Sequence, residues 1–229
     1  HTLTASIVDK NGETIDKAEL KVKVKDDNAC NDANHVHAVD LGLSVKWACC
    51  NVGAKKPEEY GGYYAWGETE EKNYYEWETY KWGDYSFGSL EKYTYDGGDD
   101  GYLGDGKRIL EPEDDVAHVK WGGSWRMPTK SEIKELINNC TWSWSTQNDV
   151  YGYKVIGSNG NSIFLPAAGF HDKKKILGVG ALGSGGYWSC SLDENSTYNA
   201  FFLYFYNGNN HKCDRKLRSL GSTVRPVTQ

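Results

Sequence analysis

Short runs with a period of two dominate the pattern of apolar and polar positions. Residues 18–25 (Ala-Glu-Leu-Lys-Val-Lys-Val-Lys) alternate cleanly, and 3–8 (Leu-Thr-Ala-Ser-Ile-Val) precede an Asn11-Gly12 turn signal. Together they predict two strands around a turn. Further strands are expected at 36–41, 44–49, 153–156, 162–165 and 223–227, with the clearest at Ala200–Tyr206. Helical spacing is confined to two windows. Pro112-Glu113-Asp114-Asp115 places proline and acids at the start of a helix running to about Lys120. Thr129-Lys130-Ser131-Glu132 has capping-box spacing, followed by the apolar stripe Ile133, Leu136 and Ile137.

Alternation divides 200–206 into two sets. Phe201, Leu203 and Phe205 form a core face, and Phe202, Tyr204 and Tyr206 form an outward one. An outward face is usually polar, so three rings there, followed by a polar segment from Asn209 to Leu220, suggest a binding surface. The expected ligand-binding residues are Trp188, Tyr198, Asn199, Phe202, Tyr204, Tyr206, Asn210, His211, Lys212, Asp214, Arg215, Leu217 and Arg218.

Organisation follows from where periodicity fails. The polar stretch 26–34 separates a strand-like leader, 1–34, from a main domain, 35–229. The leader reads as the end of a preceding module or an attachment to one. From Tyr60 to Tyr102 no period persists, so this long aromatic stretch has to be pinned by its own side chains.

Composition adds 9 Trp, 16 Tyr and 6 Phe, a core resting on aromatic burial. The net charge of −6 argues against nucleic-acid binding. That charge is uneven: residues 58–115 hold 17 acids against 5 Lys and Arg, and residues 171–229 hold 8 Lys and Arg against 4 acids. No apolar run approaches the ~20 residues that span a bilayer. No signal peptide is visible, and the start at His1 reads as a mature or trimmed product. Six scattered cysteines without a Cys-x-x-Cys pair disfavour a zinc ribbon and suit an oxidising compartment.

Several motifs occur in order. They are Val39-Asp40-Leu41-Gly42-Leu43-Ser44-Val45-Lys46-Trp47-Ala48, Asn51-Val52-Gly53-Ala54, Tyr63-Tyr64-Ala65-Trp66-Gly67-Glu68, and Trp121-Gly122-Gly123-Ser124-Trp125-Arg126-Met127-Pro128-Thr129. Gly160-Asn161-Ser162-Ile163-Phe164-Leu165-Pro166-Ala167-Ala168-Gly169 and Ser222-Thr223-Val224-Arg225-Pro226-Val227 follow. Over roughly 36–227 the chain resembles the major paralogous (FISUMP-type) domain family. Arg126-Met127-Pro128-Thr129 with Glu132 is also similar to a signature of formylglycine-generating-enzyme-like domains. These resemblances imply an α+β, C-type-lectin-like domain with two helices, a small twisted antiparallel sheet and long irregular loops. They also imply an extracellular or outer-cell-surface location, as on surface lipoproteins and adhesins of gut-type bacteria. A further resemblance is to variable proteins diversified by retroelements, whose hypervariable segment is C-terminal. Adenine-specific mutation of Asn codons can yield the residues at 198, 202, 204, 206, 211, 213, 214 and 217, but not Lys212 or Lys216.

The expected function is therefore a secreted or cell-surface binding domain for a protein or glycan, without catalysis. The alternative is a structural or assembly module of a surface filament or lipoprotein. A formylglycine-generating-type oxidase needs a close cysteine pair, and Cys190 and Cys213 stand far apart in sequence. A glycan hydrolase would need a carboxylate pair that nothing selects from 32 acids. No cofactor is expected. Calcium is the one candidate ion, at Asp96, Asp99, Asp100 and Asp105 on a Gly-rich stretch. Trp66, Trp77 and Trp82 suit either sugar stacking or the pinning of their own loop.

Overall fold

The computed structural model describes residues 2–8, 10–11, 14–21, 37–83, 90–94, 104–208 and 210–229. In chain order the strands are β1 (Thr2–Val8), β2 (Thr14–Lys21), β3 (Ala38–Val39) and β4 (Lys46–Ala48). Helices α1 (Val116–Trp121) and α2 (Lys130–Asn139) follow. Next come β5 (Thr141–Gln147), β6 (Val150–Ile156), β7 (Ser162–Pro166), β8 (Phe170–Asp172) and β9 (Lys175–Leu177). The last four are β10 (Ser184–Leu192), β11 (Asn199–Tyr206), β12 (Asn210–Leu217) and β13 (Val227–Thr228). They pair antiparallel as β1-β2, β13-β4-β3, β5-β6-β7, β8-β9 and β10-β11-β12.

This architecture overturns the expected α+β, C-type-lectin-like fold. The described chain is mostly β, in sheets of two or three strands, and its α-helices are only 6 and 10 residues long. Helix-forming signals were restricted to two capped windows. The Trp-, Tyr- and Ser-rich sequence beyond Cys140 instead pairs locally into short hairpins. One is the two-residue turn Asn148-Asp149, where both residues take positive φ and match the strand twist. Among the described residues the widest sheets have three strands, and one of them, β10-β11-β12, packs against the single ten-residue helix α2.

The two helix starts form as their signals dictate. Thr129 accepts from the Glu132 amide while the Glu132 carboxylate accepts from Thr129 N, satisfying two orphan donors reciprocally. The Pro112 window makes a 3-10 turn first. Asp115 then caps α1 through the amides of Ala117 and His118.

The β10-β11-β12 sheet is the scaffold of the C-terminal half. Trp188, Cys190, Leu192, Ala200 and Phe202 enter one aromatic-rich core, with Trp66, Tyr93 and Trp121. Tyr187, Leu203 and Phe205 enter a second, with Trp142, Tyr153 and Ile133 of α2. Each such side chain contributes about 1.5–3 kcal/mol by leaving water. Gly185 is required where β10 passes Phe205, since a Cβ there would stand 2.1 Å from the Phe205 ring.

Two buried arginines tie loops to this scaffold. Arg218 donates to the Tyr80 hydroxyl and to the carbonyls of Tyr93, Thr197 and Lys92. Its guanidinium also lies 4.9 Å from the Trp66 ring centroid. Arg225 donates to Asn51 and to the carbonyls of Ala48, Cys49 and Phe164. The loop tryptophans serve the same pinning. Trp66, wholly buried, donates to Ser189 O, and Trp82 donates to Gly67 O.

Candidate functional site

The structure splits the expected binding residues into three groups. Trp188, Phe202 and Arg218 are core, at 0%, 3% and 0% exposure, and this corrects their assignment to a surface. Trp188 donates its indole N–H to Tyr64 O, and Phe202 is sealed against it. Strand alternation alone cannot reveal that the loop carrying Tyr64 and Trp66 covers this end of the outer face.

A second group projects from the other side of the sheet or lies beside it. His211 stacks on Trp142 with centroids 4.5 Å apart, and burial pushes its imidazole below the usual pKa. Arg215 lies 3.8 Å from Asp193. Leu217 is exposed on the same side as Arg215. Tyr198 meets Trp77 edge-on, and Asn199 donates to Ser196.

The third group is contiguous. The register pairs Phe202 with Asp214, Tyr204 with Lys212 and Tyr206 with Asn210, so these side chains share one face. Burial falls along it from Phe202 through half-buried Tyr204 to Tyr206 at 40% exposure. Asn210 donates to the Tyr206 hydroxyl at 2.6 Å, and Lys212 pairs with Asp214 at 2.7 Å. That ion pair raises the Lys212 pKa. For Asp214, burial raises the pKa, but the bonds from Lys212 and the Arg215 amide outweigh it and leave the pKa lowered. Lys216 closes the face with its ammonium 3.3 Å from the Phe170 ring centroid, and burial lowers its pKa.

Phe170 brings in an arm that the sequence did not mark as functional. Strands β8 and β9 form a small hairpin, and the loop after it returns to β10 where Ser184 donates to Gly178 O. Gly169, at φ +63°, starts the arm, and a Cβ there would stand 2.0 Å from Leu177 O. Asn207, in the β11-β12 turn, donates to Ala181 O, which ties the loop to the end of the face. The arm exposes Ile176, Leu177, Val179 and Leu182, the last at 90%. Among the described residues, six of the nine exposed large hydrophobic side chains lie between Ile176 and Leu217. Lys173, Lys174 and Lys175 are exposed on the same arm. A lysine run leading into apolar residues within a glycine-rich stretch was the available signal.

The residues open to adenine-specific mutation do not match this exposed set. Phe202 is core, and Cys213 packs against the core beneath the sheet.

A second concavity lies elsewhere and also escaped the sequence reading. An open cleft of about 1000 Å³ has the polar face of β5-β6-β7 on one side, with Ser145, Gln147, Lys154 and Ser162. Ala38, Val39 and Cys49 line another side, with the loop Lys56-Pro57-Glu58. Glu58 accepts from Gln147 and Asn148 at 3.1 and 2.5 Å. Burial raises its pKa, but these bonds outweigh it and leave the pKa lowered. In this cleft Cys49 Sγ lies 3.6 Å from His37 Nδ1.

The other candidate chemistries resolve as follows. Asp96, Asp99 and Asp100 of the calcium candidate lie outside the described residues. Asp105 is described, and its carboxylate accepts from the amides of Tyr93, Thr94 and Lys107 as a turn cap. No group of three or more His, Cys, Asp or Glu suited to a metal occurs among the described residues. Burial pushes the Cys190 thiol up to about 12 and the Cys213 thiol up to about 11, the reverse of what a reactive thiolate needs. Among the described residues no helix is long and apolar enough to cross a membrane.

Compared with known proteins, the chain matches no family model, no curated protein and no solved structure.

Proposed function

We propose that this chain is a non-catalytic binding domain displayed outside the cell. It recognises a protein or glycan partner through the outer face of β11 and β12 together with the β8-β9 arm. The observation that carries this reading is the exposure of Ile176, Leu177, Val179 and Leu182 on an arm whose loop is tied by Asn207 beside Tyr206, with exposed Lys212 on the same face as Tyr206. Scattered exposed apolar residues are ordinary on any surface, whereas a cluster rimmed by charge is typical of an interaction site. Tyrosine adds a large contact area at low entropic cost, and Tyr204 and Tyr206 are supported by neighbouring rings.

Display outside the cell rests on the motif resemblance to major paralogous domains. Among the described residues Cys140, Cys190 and Cys213 are unpaired thiols, and these three do not strengthen it.

The test is a binding screen of the intact chain against arrays of surface proteins and glycans, repeated with Tyr206→Ser and Leu182→Ser. The reading expects the ligand recovered to be lost by about tenfold or more in these variants. Melting temperature should fall only slightly, because Leu182 is 90% and Tyr206 40% exposed. Ligands that bind both variants as they bind the parent would place the site elsewhere.

A further inference from the structure

We propose that the partner of this surface is an extended, acidic polypeptide segment that adds to the free edge of β12 as a fourth strand. The inference rests on the binding reading above and names the partner's class and its mode of docking.

The edge can be read from the ladder. Arg218 N donates to Tyr198 O at 3.0 Å, which fixes the phase of the antiparallel hydrogen bonds. Residues 210, 212, 214 and 216 therefore turn their backbone groups toward β11, opposite 206, 204, 202 and 200. The N–H and C=O of His211, Cys213 and Arg215 face away from it. β12 is the outer strand of its sheet, and among the described residues no further backbone hydrogen bond reaches these three positions. At one end the edge is closed, where Leu220 N donates to Leu217 O. Three outward positions at the strand repeat match the main chain of an extended polypeptide, which offers an alternating acceptor and donor every second residue.

Charge selects among polypeptides. Lys212 and Arg215 are about half exposed, at 53% and 51% of their side-chain surface, and Lys216 adds a third cation, against Asp214 on the strand and Asp193 at 3.8 Å from Arg215. A second copy of β12 would bring the same net positive charge to the edge, so self-pairing sets like against like. The lysines that guard the edge against indiscriminate pairing are the groups that favour an acidic strand. Apolar residues alternating with the acids would lie on the face of the edge that carries exposed Leu217.

Asp214 guards this edge. Its carboxylate accepts from the outward Arg215 N–H at 2.9 Å and from Lys212, so it covers one edge donor and neutralises one edge cation. An incoming strand has to displace it. Removing the carboxylate should therefore tighten binding of an acidic strand, a response opposite to that expected from loss of a contact residue.

The experiment is selection of displayed random ten-residue peptides on the intact protein, with a glycan array run in parallel. The expected peptides carry acids alternating with apolar residues. Their affinity should fall about tenfold or more for Arg215→Pro, which removes an outward donor not used by β11. It should fall similarly when alternate peptide amides are N-methylated with the side chains unchanged. Asp214→Ala should tighten binding by about threefold or more, which corresponds to one modest interaction. Backbone hydrogen exchange on the unmodified protein should show new protection at His211, Cys213 and Arg215 in the complex. Peptides sensitive to Tyr206→Ser but indifferent to Arg215→Pro and to N-methylation would overturn strand addition and leave the surface assignment standing. Glycans binding in place of peptides, or association of two copies through β12, would also overturn the acidic-polypeptide partner. Indifference to all of these changes, with a footprint elsewhere, would remove the surface assignment itself.

Discussion

The two ends of β11 occupy different environments although the strand's sequence is uniform in character. At the Ala200–Phe202 end both faces are sealed, one by the loop carrying Tyr64 and Trp66 and the other by packing near α2. At the Tyr204–Tyr206 end the same outer face opens to solvent and is flanked by the β8-β9 arm. Aromatic residues thus serve as core at one end of a strand and as contact surface at the other. What differs is whether another segment passes over them.

The largest predicted contrast is between two arginines three residues apart. Arg218→Met leaves three carbonyls and the Tyr80 hydroxyl without their buried donor. It should cost about 3–5 kcal/mol in urea unfolding, whereas Arg215→Met should cost less than about 0.5 kcal/mol. Equal losses would erase the distinction between the sealed and open ends. Next in size, Phe202→Ala should cost about 3–4 kcal/mol through its cavity, against less than about 1 kcal/mol for Tyr206→Ala.

A smaller effect concerns pH. Burial holds the imidazoles of His171 and His211 below their ordinary pKa of 6.5. The unfolded chain therefore takes up protons first as pH falls. Stability should be flat above this value and decline as pH drops from it toward the folded pKa values. Thermal melts across that window, with His211→Gln reducing the decline, check the sign. A rise in stability on acidification through the window would contradict it. The smallest effect is expected at the open end itself. Lys212→Ala breaks an exposed ion pair with Asp214 and should change stability by less than about 0.5 kcal/mol, measured by the same urea unfolding.

Local signals were legible where their partners are local. The Thr129–Glu132 capping box and the β11 strand could be read directly, because cap geometry and strand period are set within a few residues. The class of the fold was not legible, since short hairpins pair without a sequence mark for sheet width. The outward set at 202, 204 and 206 was half right. Phe202 is covered by residues more than a hundred positions away, a tertiary event that no local period encodes. β12 was hidden because its polar residues show no apolar alternation, and it pairs through the register set by its neighbour. The arm from Phe170 to Leu182 carries no strand or helix period in its Lys173–Lys175 run and its glycines, so nothing local marks that its apolar residues stand exposed beside the end of β11.

The most direct test of the account is a hydrogen-exchange footprint of the intact chain bound to the ligand recovered from the screen. Protection concentrated at 176–182 and 204–216, with none added around Glu58, Gln147 and Lys154, is the predicted result. Protection concentrated on the Glu58 cleft, with the β11-β12 end unchanged, would contradict it.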